Sequence, residues 1–173
     1  MNYHNITKED MNNGDGLRTV LWTAGCEHHC KECQNPITWD EKGGIPFDEA
    51  AHSELMESLN HDYISGITFS GGDPLATYNR KCVLEIIKEI KEKLPEKTIW
   101  VYSGYTLEQL LSQAQKITDP WISKIIDNID VLVDGRYEKD RRNVSLFWRG
   151  SSNQRVIDVR KSLKTGTVVL HCL

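Results

Sequence analysis

Residues 17–34 read LRTVLWTAGCEHHCKECQ. The first eight are rich in β-branched and aromatic residues, Thr19, Val20, Trp22 and Thr23, and end against Gly25, which predicts a strand over 17–24. That strand delivers the chain directly into Cys26, Cys30 and Cys33. Downstream, Gln34-Asn35-Pro36 and Gly43-Gly44 punctuate too densely for regular structure, so a loop is expected there. Helices are expected over 47–60 and 79–94, a second strand over 64–70 and a third over 97–102. In the longer helix Val83, Ile86, Ile87, Ile90 and Leu94 recur at spacings of three, four and seven, with Lys88, Glu89, Lys91 and Glu92 opposite. Thr106 and Gln109 have the form of a capping box for another helix. Residues 120–128 read as helix, 130–133 as a fourth strand, and 155–159 and 167–171 as two further short strands. Strand and helix alternate, which predicts an α/β fold with a mainly parallel sheet. Four strands end in small or polar residues, at Gly25, Gly71-Gly72, Ser103-Gly104 and Asp134-Gly135. Ligands of parallel sheets sit outside the carboxyl ends of the strands, so these four loops are expected to share one site with the cysteines.

The chain has 173 residues, of which 39% are hydrophobic and 27% charged, with a formal net charge of −4. This is globular material, expected as a single domain over 1–173, and too short for a closed eight-unit barrel, which takes about 250 residues. The net charge gives no support to a nucleic-acid or membrane coat. The polar N-terminal stretch MNYHNITKED has no signal-peptide core, and no apolar run is long enough to cross a membrane, so a cytoplasmic protein without disulfides is expected.

Cys26-x3-Cys30-x2-Cys33 admits three readings. A structural zinc site takes four ligands, and only His28 or His29, cramped inside the first gap, could supply the fourth. Unliganded buried cysteines suit one position but hardly three beside Glu27, Lys31 and Glu32. Thiolates are soft ligands suited to iron–sulfur clusters, and three of them on a 4Fe-4S core leave one iron open to substrate.

The cysteine triplet, followed after the next strand by Gly71-Gly72-Asp73, resembles the radical S-adenosylmethionine superfamily. Asn13-Gly14-Asp15-Gly16-Leu17-Arg18, Gln34-Asn35-Pro36-Ile37-Thr38-Trp39 and Ser70-Gly71-Gly72-Asp73-Pro74-Leu75 are similar to its glycyl-radical-enzyme activases. Trp100–Tyr105, Val131–Gly135 and Trp148–Gln154 look like the branch that serves the anaerobic ribonucleoside-triphosphate reductase. The resemblance implies an open, partial (β/α) barrel and a 4Fe-4S cluster on Cys26, Cys30 and Cys33. It implies S-adenosyl-L-methionine bound along Glu32, Cys33 and Gln34 and at Gly71, Gly72 and Asp73. Electrons from a donor such as flavodoxin would then cleave S-adenosylmethionine, and the resulting radical would take a hydrogen from a glycine of the reductase. On this reading Gly71 and Gly72 let the backbone approach the bound amino acid, and Asp73 accepts from its amino group. An ordinary turn explains Gly-Gly-Asp-Pro as well when it is taken alone. Glu32 departs from the family, which often has an aromatic residue before the third cysteine, and Asp73 replaces the commoner Glu. Ser103-Gly104, Asn35 and Trp39 read equally as turn or packing residues and as parts of the site.

Cys82 and Cys172 are expected to have no redox role. Arg136 to Lys164 holds nine Lys or Arg against three acidic residues. Such a run is usually a solvated face, and no nucleic-acid motif accompanies it; part of it is expected to dock the reductase. Two other functions stay open at this level, an activase of the pyruvate formate-lyase type and a non-catalytic, zinc-stabilised binding module.

Overall fold

The computed structural model describes residues 1–115 and 119–171. Seven strands form one open sheet: β1 (Asn2–Asp10), β2 (Leu17–Thr23), β3 (Ile45–Pro46), β4 (Ile64–Gly71), β5 (Thr98–Ser103), β6 (Val131–Asp134) and β7 (Arg155–Asp158), in the order β3-β1-β2-β4-β5-β6-β7. The central strands β2, β4, β5 and β6 are parallel, and β1, β3 and β7 join them antiparallel at the flanks. The fold is thus the α/β open partial barrel that the alternating pattern and the resemblance implied.

Five helices connect the strands: α1 (Glu49–Leu59), α2 (Arg80–Lys93), α3 (Leu107–Ala114), α4 (Ile122–Ile126) and α5 (Val159–Thr165). Their apolar faces pack with alternate strand residues, among them Leu21, Ile67, Phe69, Val101 and Leu132, into one core. Helix α2 buries Val83, Leu84, Ile86, Ile87 and Ile90 there, each contributing about 1.5–3 kcal/mol by removal from water. The capping box is present: the Thr106 side chain accepts from the Gln109 N–H while the Gln109 side chain accepts from the Thr106 N–H. On the opposite face Trp100, Val131, Val133 and Val156 form a smaller cluster against Tyr102 and Trp148.

Two parts of the fold differ from the sequence reading. Strand β1 lies where only a polar terminus was apparent; it is held by pairing with β2 and buries just Tyr3 and Ile6. Residues 167–171 are not a strand, since only Leu170 bridges to Ile157. The chain instead winds into α5, capped by the Asp158 side chain on the Lys161 N–H and ended by Gly166 in the left-handed region. Around that bridge Asp158 N–H donates to the Val169 carbonyl at 2.9 Å and His171 N–H to the Val156 carbonyl at 2.8 Å.

Candidate metal centre

The carboxyl ends of β2, β4, β5 and β6 converge on a cleft of about 210 Å³. Cys26, Cys30, Cys33, Gln34, Gly71 and Gly72 all line it. The cysteines are free and half-buried. Each is preceded by a residue with positive φ: Gly25 at 91°, His29 at 46° and Glu32 at 54°. Three left-handed steps thus bend the loop before each thiol. Glycine takes that conformation readily, whereas His and Glu adopt it against Cβ sterics. A Cys33 N–H to Cys30 carbonyl bond of 3.0 Å closes the turn between the last two, and Asn35 N–H donates to Cys33 Sγ at 3.4 Å.

The loop is anchored through its backbone. Gly25 N–H donates to the Thr38 carbonyl at 2.8 Å and Cys26 N–H to the Trp39 carbonyl at 3.0 Å. On the other side, Gly72 N–H donates to the Thr23 carbonyl at 2.8 Å and Asp73 N–H to the Gly25 carbonyl at 2.7 Å. This contact explains the two glycines. A Cβ on Gly71 would come 2.7 Å from Thr23 backbone atoms, and one on Gly72 only 2.3 Å from the Gly25 carbonyl oxygen. Their missing side chains make room for the chain that carries the thiols.

Glu32 and Asp73 do not line the cleft. Glu32 turns outward, and its carboxylate pairs with Lys139. Asp73 is fully buried, and protein donors engage both of its carboxylate oxygens. The expectation that this carboxylate accepts from a bound amino group therefore meets a geometry in which it already holds the protein together. Asn35, Trp39, Ser103 and Gly104, left open by the sequence, all border the cleft. The sequence reading weighed His28 only as a zinc ligand and gave no site role of their own to Tyr102, Arg136 or Gln154, which line it too. Gln154 builds the wall formed by the Arg149–Gln154 segment: it donates to the Gly135 carbonyl at 2.9 Å and accepts from the Gly150 N–H at 2.9 Å. Cys82 packs on α2 beside the core, outside the cleft, and Cys172 lies outside the described residues.

Burial pushes the Cys26 thiol up to about 11, partly countered by the backbone N–H groups of His28 and His29. Burial also raises Cys30, opposed by the Tyr137 N–H and the Arg136 charge. Thiolates in such a place need a cationic partner, and an iron–sulfur core is one that soft sulfur ligands suit. Two residues of the cleft wall bury a polar atom, Trp39 Nε1 and Tyr102 OH, that has no hydrogen-bond partner among the described residues. A bound group that accepts or donates there would satisfy them. Among the described residues no three Cys, His, Asp or Glu side chains could hold one metal ion; the thiols share a loop and a cleft, not one ion-sized point.

A family described as the 4Fe-4S single cluster domain matches residues 12–157. A protein of Escherichia coli (strain K12) is 41% identical over 162 residues, covering 92% of this chain and all of that protein. One of Pasteurella multocida (strain Pm70) is 39% identical over 156 residues, 89% of this chain and 95% of its own length. One of Enterobacteria phage T4 is 38% identical over 156 residues, 90% and 93%. All three are named anaerobic ribonucleoside-triphosphate reductase-activating protein. The chain belongs to the single-cluster 4Fe-4S family and, within it, to the anaerobic ribonucleoside-triphosphate reductase-activating proteins.

Proposed function

We propose that the chain activates the anaerobic ribonucleoside-triphosphate reductase by placing a glycyl radical on it, with Cys26, Cys30 and Cys33 holding a 4Fe-4S cluster. The observation that carries this reading is the convergence of three thiols on one cleft at the carboxyl edge of the parallel strands, in a chain of the family named above. When bound, the cluster and S-adenosyl-L-methionine supply one-electron cleavage of the sulfonium and a carbon radical able to take a hydrogen from a glycine.

The protein's part is to bind, orient and shield. The loop sets three sulfurs around one opening and leaves the fourth corner to the cofactor. The backbone from Glu32 to Gln34 and the Gly71-Gly72 turn border the place where the methionine part would lie. Asp73, the acceptor expected for the amino group of the methionine part, also shapes that turn through its own hydrogen bonds. Tyr102 OH and Trp39 Nε1 have no hydrogen-bond partner among the described residues, and Arg136 places positive charge on the cleft wall. Flavodoxin, a cytoplasmic site of action and a single domain over the whole chain complete the proposal. No helix of the described residues is long and apolar enough to cross a membrane.

Anaerobic metal analysis should find about four irons per chain. Adding a strong reductant and S-adenosylmethionine should release 5′-deoxyadenosine, and adding the reductase should produce a glycyl radical signal in electron paramagnetic resonance. Pyruvate formate-lyase is the control partner and should give none. Cys30→Ala should lose both the iron and the cleavage; nucleoside release by that variant at the parent rate would reject the three-thiol site.

A further inference from the structure

His28 sits midway between Cys26 and Cys30, yet its side chain is only 3% exposed. Its Nε2 donates to Asp73 Oδ2 at 2.6 Å. Ser103 Oγ lies 3.0 Å from each oxygen of the same carboxylate, Gly104 N–H donates to Oδ2 at 3.1 Å, and Leu75 N–H donates to Oδ1 at 2.8 Å. The Tyr105 ring meets the imidazole edge-on at 4.5 Å. Gly104 leaves the imidazole its space, since a Cβ there would stand 2.2 Å from His28 Cδ2. One side chain of the cysteine loop is thus locked to the loops after β4 and β5. The locked residue lies two positions from Cys26 and two from Cys30, and His29 beside it holds a left-handed φ of 46°.

We infer that His28 is a positioning residue: clamped by Asp73, it fixes the stretch between Cys26 and Cys30, and so the way the amide N–H groups of that stretch are presented to the cluster sulfurs and the reduction potential they set. The inference rests on the proposed reading of the three thiols as cluster ligands. Hydrogen bonds to cluster sulfurs are among the factors that set such potentials, and donors favour the more negative, reduced core. A histidine that merely filled the core would change stability without changing the potential. His28 touches no reacting atom; it acts through the loop.

The test is a redox titration of the anaerobically reconstituted protein, followed by electron paramagnetic resonance. His28→Phe keeps a ring against Tyr105 but removes the N–H. It is expected to load iron as the parent does, with a midpoint shifted to more negative potential and an altered cluster spectrum. His28→Gln restores a donor at similar reach and should return the midpoint most of the way. An unchanged midpoint and spectrum in His28→Phe overturns the inference. If that variant fails to take up iron, Asp73→Asn decides from the other side of the pair. An amide has one acceptor oxygen, so its NH2 must face donors that now meet a carboxylate oxygen. The same negative shift supports the clamp, and a parent-like midpoint rejects it. A parent protein that binds no iron removes the cluster reading and the inference together, whereas iron loading with no response to these substitutions removes the inference alone.

Discussion

Backbone conformation at single residues does much of the work in the cysteine loop. His29 and Glu32 occupy the left-handed region without being glycine, at a cost of about 1–2 kcal/mol each, and the anchoring hydrogen bonds around them hold the loop in place. The glycines after β4 are tied to the same loop. In Gly72→Ala the new methyl would meet two carbonyl oxygens, of Gly25 at 2.3 Å and of Thr38 at 2.9 Å. The expected cost is about 1–3 kcal/mol from overpacking, read as a lower denaturant midpoint of the metal-free protein. A midpoint equal to the parent would show that the loop can yield. The thiols, Gln34 and the two glycines, which the structure gathers on one cleft, stood out in the sequence because their types and spacing are distinctive. The conformations at His29 and Glu32 were not, since neither residue type announces a positive φ. Asp73 was legible as important, but the protein donors that engage its carboxylate were not, because Ser103, Gly104 and Leu75 reach it only through the fold.

Among the elements, the joint between β2, β4 and β5 depends on Arg18, which is fully buried. Its guanidinium donates to Thr68 Oγ1, Thr98 Oγ1 and the carbonyls of Asp15, Ile67 and Thr98 at 2.6–3.2 Å, and it lies 5.3 Å from the Trp100 ring centroid. Burial lowers its pKa to about 10. Arg18→Met would strand these acceptors, and a loss of about 3 kcal/mol or more in unfolding free energy is expected, measurable by urea titration. A second joint links α3 to β6 and β7, where Arg155 bridges Glu108 and Asp134. The bond from Arg155 lowers Glu108 from 4.5 to about 2. A carboxylate depressed in the folded state stabilises above its unfolded value, so this contribution is present above about pH 4.5 and lost as the pH falls toward 2. Glu108 is 58% exposed, so screening holds the effect below about 1 kcal/mol. Glu108→Gln should lower stability at neutral pH by up to that amount and meet the parent near pH 2, which flattens the acid limb of the profile. Strands with a β-branched core and helices with a clear apolar face were readable at this scale. The edge strand β1 was not, because its pairing with β2 supplies what its two buried side chains cannot.

For the whole molecule, an open sheet gathers the chemistry at one edge and leaves a cationic flank beside it. Arg141 and Arg142 are exposed there, next to the wall formed by Arg149–Gln154. If this flank meets the reductase, Arg141→Glu with Arg142→Glu should weaken association about tenfold at low ionic strength and less at high salt. Equal affinity at every salt concentration would move the docking face elsewhere. The convergence of four loops was legible from the punctuation after each strand, but the roles within it were divided differently. Thiols and glycines line the same cavity, but the glycine pair also serves the packing of one chain segment on another. The glycines therefore answer to a second pressure that the thiols do not share. A descendant that abandoned the chemistry could shed its sulfur ligands and still be obliged to retain Gly71 and Gly72, so a preserved glycine pair testifies to inherited architecture and says nothing about whether the reaction survives.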